Sequence, residues 1–165
     1  MKIAATKRLL FLVTLLVAVA FAAAASAATM QERATASRTN NDNDSTTGVF
    51  KALNQAGATT VTFPTTATRS FVRIIFNAEC GVLGPPQAWV AVTVLVDGIE
   101  ANPKNGTDFA LCTANSTTTY QWVGAVRQSY TVVGPGTHTV RIRIDLLNGA
   151  TRWWLGDSSL TVEVQ

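Results

Sequence analysis

From about Val49 onward, apolar residues recur at every second position, which is the spacing of a β-strand with one buried and one solvated face. No amphipathic helical pattern of useful length follows residue 47. Four segments show the alternation best. Their buried faces would be formed by Val72, Ile74, Phe76 and Ala78, by Val90, Val92, Val94 and Val96, by His138, Val140, Ile142 and Ile144, and by Leu160, Val162 and Val164.

Glycine and proline separate these segments, and the pairs Asp97-Gly98 and Asn148-Gly149 suit tight turns. Weaker strand candidates fill the gaps at residues 59–63, 109–112, 120–127 and 129–133. About eight strands, with no helices for parallel crossovers, predict an antiparallel two-sheet sandwich of jelly-roll or immunoglobulin-like type. A flattened barrel is the nearest alternative.

The N-terminus has the three parts of a secretory signal peptide: a basic start, an apolar run over residues 9–25, and the small residues Ala25-Ser26-Ala27. Cleavage after Ala27 would give a secreted or periplasmic protein. A membrane anchor is the alternative, since the run approaches the length that spans a bilayer. Removing the three basic residues of this segment leaves ten basic and ten acidic residues. A nucleic-acid partner therefore has no electrostatic basis, and no membrane partner is expected after cleavage.

We divide the chain into a signal peptide (1–27), a disordered linker (28–47) and a β-sandwich domain (48–165). The linker is rich in Thr, Ala, Asn and Asp and poor in large apolar residues, so it cannot offset the entropy of ordering. Asp42-Asn43-Asp44 resembles the opening of a calcium loop, but Gly48 falls one place late and no closing Glu follows.

The two cysteines, Cys80 and Cys112, predict a disulfide, because export leads to an oxidising compartment. Closing this loop would stabilise the fold by roughly 3 to 4 kcal/mol in the chain-entropy model. A metal-binding or reactive pair is the alternative, although the spacing fits no CxxC motif.

Catalytic chemistry has little support in the sequence. His138 is the only histidine, and a serine triad would need it as the base, with Ser129, Ser158 or Ser159 as nucleophile. Its register on a strand favours a histidine at the rim of the sandwich, hydrogen-bonded to a loop. We therefore predict no catalytic residue, no metal ligand and no cofactor. Among the carboxylates, Glu79 is the first to inspect because it adjoins Cys80, and a pairing with Arg73 or another arginine is the simplest expectation.

The tryptophans are the best candidates for ligand recognition. In an extended segment Trp153 and Trp154 point to opposite faces, so that one can fill the core while the other reaches the surface. An exposed indole can stack on the apolar face of a sugar ring or anchor a protein contact. We predict Trp153 and Trp154 as ligand-binding residues, with Trp89, Trp122 and Tyr120 ranked below them.

Short motifs in residues 71–164 resemble small secreted bacterial β-sandwich domains of a largely uncharacterised type. The motifs are Asn77-Ala78-Glu79-Cys80, the run 89–98, Cys112, Gly136-Thr137-His138-Thr139-Val140, and Trp154-Leu155-Gly156-Asp157 as a turn before the last strand. The resemblance implies the sandwich fold and the disulfide, and it implies no reaction or ligand.

We therefore expect a secreted, non-catalytic sandwich that binds a polysaccharide or another component of the cell envelope. Two alternatives stay open. One is a small hydrolase that uses two carboxylates, and the other is a surface subunit that assembles through an exposed strand edge.

Overall fold

The computed structural model describes residues 29–104 and 109–165, and within them the chain forms two antiparallel β-sheets. The predicted signal peptide lies outside the described residues. The strands are β1 (Gln31–Arg38), β2 (Asp42–Asp44), β3 (Val49–Phe50), β4 (Val61–Thr65), β5 (Ser70–Leu83), β6 (Trp89–Val96), β7 (Ile99–Glu100), β8 (Ala110–Thr113), β9 (Val123–Val133), β10 (Gly136–Leu147) and β11 (Arg152–Val164).

The first sheet has the strand order β1-β11-β5-β9, with β2 also paired to β11. The second sheet has the order β3-β10-β6-β7, with β4 paired to β10 and β8 paired to β6. Every pairing between these strands is antiparallel. The predicted two-sheet sandwich is thus confirmed. It has eleven strands rather than about eight. Strands β1, β2, β3 and β7 were not predicted, and three of these are only two or three residues long, whereas two of the predicted segments, 120–127 and 129–133, form the single strand β9.

Alternation along the long strands builds one hydrophobic core between the sheets. Its centre consists of side chains from β5, β6, β10 and β11 that are almost inaccessible to solvent: Val72, Ile74, Phe76, Val90, Val92, Val140, Ile142, Ile144, Leu155 and Val162. The predicted turns are also confirmed, since Asp97, Gly98, Asn148 and Gly149 all have positive φ. These conformations suit Asp, Asn and Gly.

The structure contradicts the expectation of a disordered linker over much of 28–47. Residues 31–38 form strand β1, which runs along the edge of the first sheet and pairs with β11. The small side chains of Ala34 and Ala36 pack against the core. Backbone hydrogen bonds to an existing strand order this segment without large apolar residues, a contribution that composition does not show.

A second correction concerns Gly156 and Asp157, which we expected to form a turn before the last strand. They lie inside a continuous β11, at a β-bulge where the pairing with β5 shifts between Leu155 and Ser158. The extra residue changes the alternation by one position, so that both Leu155 and Leu160 are buried. No helix long and apolar enough to cross a membrane occurs in the part of the chain that the structure describes.

Candidate functional site

The outer face of the first sheet, where β5, β9 and β11 lie side by side, carries the candidate site. Along β5 the even-numbered residues enter the core, so Glu79 and Gly81 face outward. Gly81 pairs directly with Trp154 of β11, and Glu79 pairs with Gly124 of β9. Register therefore brings one end of all three strands to the same surface.

Three aromatic rings cover this end of the face. Tyr120 and Trp122, which lead into β9, stack with their ring centroids 4.9 Å apart and an angle of 18° between the planes. Trp122 also contacts Trp154, with centroids 3.8 Å apart and the rings inclined by 58°. We call Tyr120, Trp122 and Trp154 the aromatic platform. Trp122 is 51% exposed, so much of its ring surface is open to solvent.

Two glycines allow the rings to lie against the sheet. A Cβ atom at Gly81 would stand 2.5 Å from the Trp122 ring, and one at Gly156 would stand 2.3 Å from the Trp154 ring. Real Cβ atoms do not approach other atoms so closely, and any larger residue would push the indoles outward. The rings are thus held by the backbone beneath them, which preorganises the platform before any ligand arrives.

Glu79 places a carboxylate beside the platform. Its Oε2 would lie 2.9 Å from a Cβ at Gly156, next to the point where the Trp154 ring crosses the same residue. The expected pairing with Arg73 does not occur, because the Arg73 Nε donates to Glu163 at 2.5 Å. In the described part of the chain, no hydrogen bond or ion pair engages the Glu79 carboxylate. It can accept hydrogen bonds from a ligand.

The far side of Trp154 is occupied by polar groups from β2. Asn43 pairs with Trp154 in the sheet, and its Oδ1 accepts a hydrogen bond of 2.5 Å from Arg152. An amide, a guanidinium and a carboxylate therefore surround the aromatic platform. Aromatic surface with a few polar groups at its margin is the composition of small-molecule and saccharide sites.

The two tryptophans predicted as ligand-binding residues have different positions. Trp153 is only 4% exposed, and its indole N–H donates to the carbonyl oxygen of Thr46 at 3.2 Å, so it cannot stack on a ligand. Trp154 lies on the outer face, so one ring fills the core and the other reaches the surface, as predicted for neighbouring residues of a strand. The lower-ranked Tyr120 and Trp122 complete the cluster. Their spacing of two residues, which puts both rings on one face of an extended segment, was the available signal.

The predicted disulfide between Cys80 and Cys112 lies directly beneath the platform. The two Cα atoms are 6.1 Å apart, and Cys80 stands between the outward-facing Glu79 and Gly81. Cys112 belongs to β8 of the second sheet. The bridge therefore ties the site-bearing end of β5 to the opposite sheet.

His138 lies on β10 of the second sheet and has a structural role. Its Nδ1 is 2.7 Å from Asp97 Oδ2, and its Nε2 is 3.0 Å from the carbonyl oxygen of Gly134. This confirms the expected histidine that hydrogen-bonds to a loop. Thr65 Oγ1 lies 3.1 Å from Nε2, but its hydroxyl donates to the Gly134 carbonyl and is not activated by the ring. The hydrogen bond to Asp97 raises the pKa of His138, against the opposing effect of burial.

The acidic side chains of residues 42–44 accept hydrogen bonds from other residues of the chain. Asp42 accepts hydrogen bonds from Arg38 at 2.7 and 2.9 Å and from the buried Lys51. Asp44 accepts two from Thr46, one from its backbone N–H and one from its hydroxyl. Burial lowers the pKa of Lys51, and the hydrogen bond to Asp42 opposes that effect. Among residues 29–104 and 109–165, no three His, Cys, Asp or Glu side chains gather as a metal site would require.

No protein-family profile matches this chain, and no curated protein is similar to it in sequence. Solved structures with a similar arrangement include the C-terminal domain of EclA, a sugar-binding protein, at 10% identity and a TM-score of 0.37, with 83% of this chain and 85% of that chain covered. A family 35 carbohydrate-binding module from Clostridium thermocellum has 12% identity and a TM-score of 0.31, over 83% of this chain and 98% of that one. A CBM35 from Paenibacillus barcinonensis has 13% identity and a TM-score of 0.27, over 84% and 98%. At these values, what this molecule binds has to be argued from its own residues.

Proposed function

We propose that this protein is a non-catalytic carbohydrate-binding protein that works outside the cytoplasm and holds its ligand on the aromatic platform. The observation that carries the proposal is the half-exposed Trp122, fixed between Tyr120 and Trp154 over the backbone of Gly81. The C–H face of a pyranose ring stacks on such a surface. Because the rings are already in place, binding costs little side-chain entropy.

The polar margin supports the same ligand class. Sugar hydroxyls need acceptors and donors around the stacked ring, and Glu79, Asn43 and Arg152 stand beside the platform. The Cys80–Cys112 disulfide supports an oxidising compartment, because such bridges are rare in the cytosol of mesophiles. If the predicted signal peptide is removed, N-terminal sequencing of the exported protein will begin at Ala28.

The proposal is tested by binding to a panel of polysaccharides, namely cellulose, xylan, mannan, chitin and polygalacturonate. We expect the parent protein to bind at least one of them, with a change in tryptophan fluorescence. Trp122→Ala should weaken binding by about tenfold or more, since buried aromatic anchors typically contribute about 2 kcal/mol. Ile99→Ala is the matched control, because Ile99 is 67% exposed on β7 of the second sheet.

Two results would contradict the proposal. If Trp122→Ala keeps the full affinity and the free energy of unfolding of the parent, the binding site lies elsewhere on the molecule. If the parent protein releases reducing sugar ends from a polysaccharide, the alternative of a carboxylate-dependent hydrolase is supported instead. Three carboxylates of the domain are engaged with basic partners, namely Asp97 with His138, Asp145 with Arg143 and Glu163 with Arg73.

A further inference from the structure

A second pair of aromatic rings lies on the same outer face, at the opposite end of β5. Phe71 and Tyr130 stack with their centroids 5.9 Å apart and an angle of 26° between the planes. They are 40% and 48% exposed. Phe71 is odd-numbered on β5, like Glu79 and Gly81, so both aromatic groups face the same side of the sheet.

The distance between the two aromatic groups is long compared with a sugar unit. Phe71 and Gly81 are ten residues apart on one strand, which corresponds to about 33 Å at the usual rise per residue. A monosaccharide can reach only one of the two groups. A chain of several sugars laid along β5 can stack on both.

The surface between the groups mixes polar and apolar side chains and has free space. Val126 of β9 is 54% exposed there, opposite Asn77 of β5. Asn77 donates to Ser159 Oγ at 3.3 Å across the β5–β11 pair, and Gln128 of β9 is exposed beside them. Gly124 has no side chain, and nothing lies within 4 Å of the place where its Cβ would be. The amide and hydroxyl groups of this surface can form hydrogen bonds with the hydroxyls of a sugar chain.

The charges on this face do not favour an acidic polymer. Arg73 is paired with Glu163, and Glu32 of β1 pairs with Glu163 across the strands. Near the platform, Arg152 interacts electrostatically with the carboxylate of Asp44, and Glu79 adds a further negative charge. The described side chains of the face therefore carry no excess of positive charge, and an uncharged polymer fits it better than a polyuronate.

We propose that the ligand is an uncharged polysaccharide chain that lies along β5 and β9, from the aromatic platform to the Phe71–Tyr130 pair. The inference rests on the proposed function and extends it to the ligand's length and charge. Both aromatic groups then act as stacking subsites of one chain. Each adds contacts to a ligand that is already held, so affinity rises with chain length.

The test compares short and long forms of each uncharged polysaccharide named above, a disaccharide against the polymer, by affinity electrophoresis and isothermal calorimetry. The double variant Phe71→Ala/Tyr130→Ala should bind the disaccharide as the parent does and the polymer about tenfold more weakly. Trp122→Ala should weaken both. Ile99→Ala again serves as the control, and circular dichroism confirms that each variant is folded.

The outcomes separate this inference from the proposed function. If the parent binds no polysaccharide, the proposed function fails. If Trp122→Ala loses binding but the double variant holds the polymer as tightly as the parent, only the extended site is contradicted. Preference for polygalacturonate over the uncharged polymers would contradict the assigned charge. A parent dimer that the double variant converts to monomer, seen by light scattering, would assign the Phe71–Tyr130 end to a second copy of the chain.

Discussion

The outer faces of the two sheets follow the same alternation but differ in how their side chains are satisfied. On the second sheet, Arg141 lies over the ring of Phe50, with 3.2 Å from its guanidinium carbon to the ring centroid. Arg143 donates to Asp145 at 2.9 Å and to Thr93 at 3.4 Å. The long side chains of this face are partnered by neighbours on the same sheet.

The first sheet presents the opposite arrangement. At one end of its outer face Trp122 contacts Tyr120 and Trp154, and at the other end Phe71 stacks on Tyr130. Trp122, Phe71 and Tyr130 nevertheless keep much of their surface in water. Exposed aromatic groups of this kind mark recognition surfaces more often than scattered apolar residues do. The comparison predicts that changes on the second face alter stability, whereas changes on the first face alter binding.

The largest effect should come from the bridge that joins the two sheets below the platform. Cys80→Ser removes a loop closure between residues 32 positions apart, and the free energy of unfolding should fall by roughly 3 to 4 kcal/mol. Urea denaturation without reductant measures the loss. The parent protein treated with reductant is the control and should match the variant. Equal stability of parent and variant under oxidising conditions would contradict a stabilising bridge.

The second effect tests the partnered face directly. Arg143→Ala removes the hydrogen-bonding partner of Asp145, a carboxylate that is largely buried. Leaving such a group unsatisfied should cost about 1–3 kcal/mol of stability, measured by urea denaturation, while polysaccharide binding stays unchanged. Trp122→Ala should show the reverse pattern. The contrast between the two faces is contradicted if Arg143→Ala lowers polysaccharide affinity more than it lowers the free energy of unfolding.

A third effect separates ring position from ring identity within the platform. Gly81→Ala puts a methyl group where the Trp122 ring now lies, so affinity should fall several-fold and stability by about 1 kcal/mol. Gly124→Ala is the matched control on the same face, because its Cβ would meet nothing within 4 Å. Titration of both variants against the retained polysaccharide gives the readout. Identical affinities would show that the glycine does not position the ring.

The core strands of this fold could be predicted because their alternation is strong and uninterrupted. Residues such as Val72, Ile142 and Val162 are buried where the pattern puts them. Strand β9 was harder to predict, because Arg127 and Ser129 occupy its buried face. The Arg127 guanidinium stacks on Phe109 at 3.8 Å and donates to the Pro103 carbonyl, which are contacts that depend on tertiary structure.

The candidate site was only partly visible in the sequence for a similar reason. Alternation predicts that Trp153 and Trp154 point to opposite faces, and the structure puts Trp153 in the core and Trp154 on the surface. The β-bulge between Leu155 and Ser158 decides which of the two is buried, because it shifts the alternation of β11 by one residue. Alternation cannot supply the register that sets Trp154 opposite Gly81 and brings Trp122 over the same glycine. Register between strands distant in sequence is decided by packing of the whole sandwich, and the platform exists only at that level.

The smallest effect concerns pH, and it should again separate the two sheets. The hydrogen bond to Asp97 raises the pKa of His138 at the start of β10 above its value of 6.5 in the unfolded chain. The protonated ring therefore contributes stability in full below about pH 6.5, and this contribution disappears as the pH rises through the folded-state pKa. Urea denaturation across this range should show a stability decrease that His138→Gln abolishes. His138 belongs to the second sheet, and its ring contacts Phe63, Thr65, Asp97 and Gly134 rather than either aromatic group of the first sheet. Polysaccharide affinity should therefore not follow the same titration, and a shared midpoint would contradict the separation of the two faces.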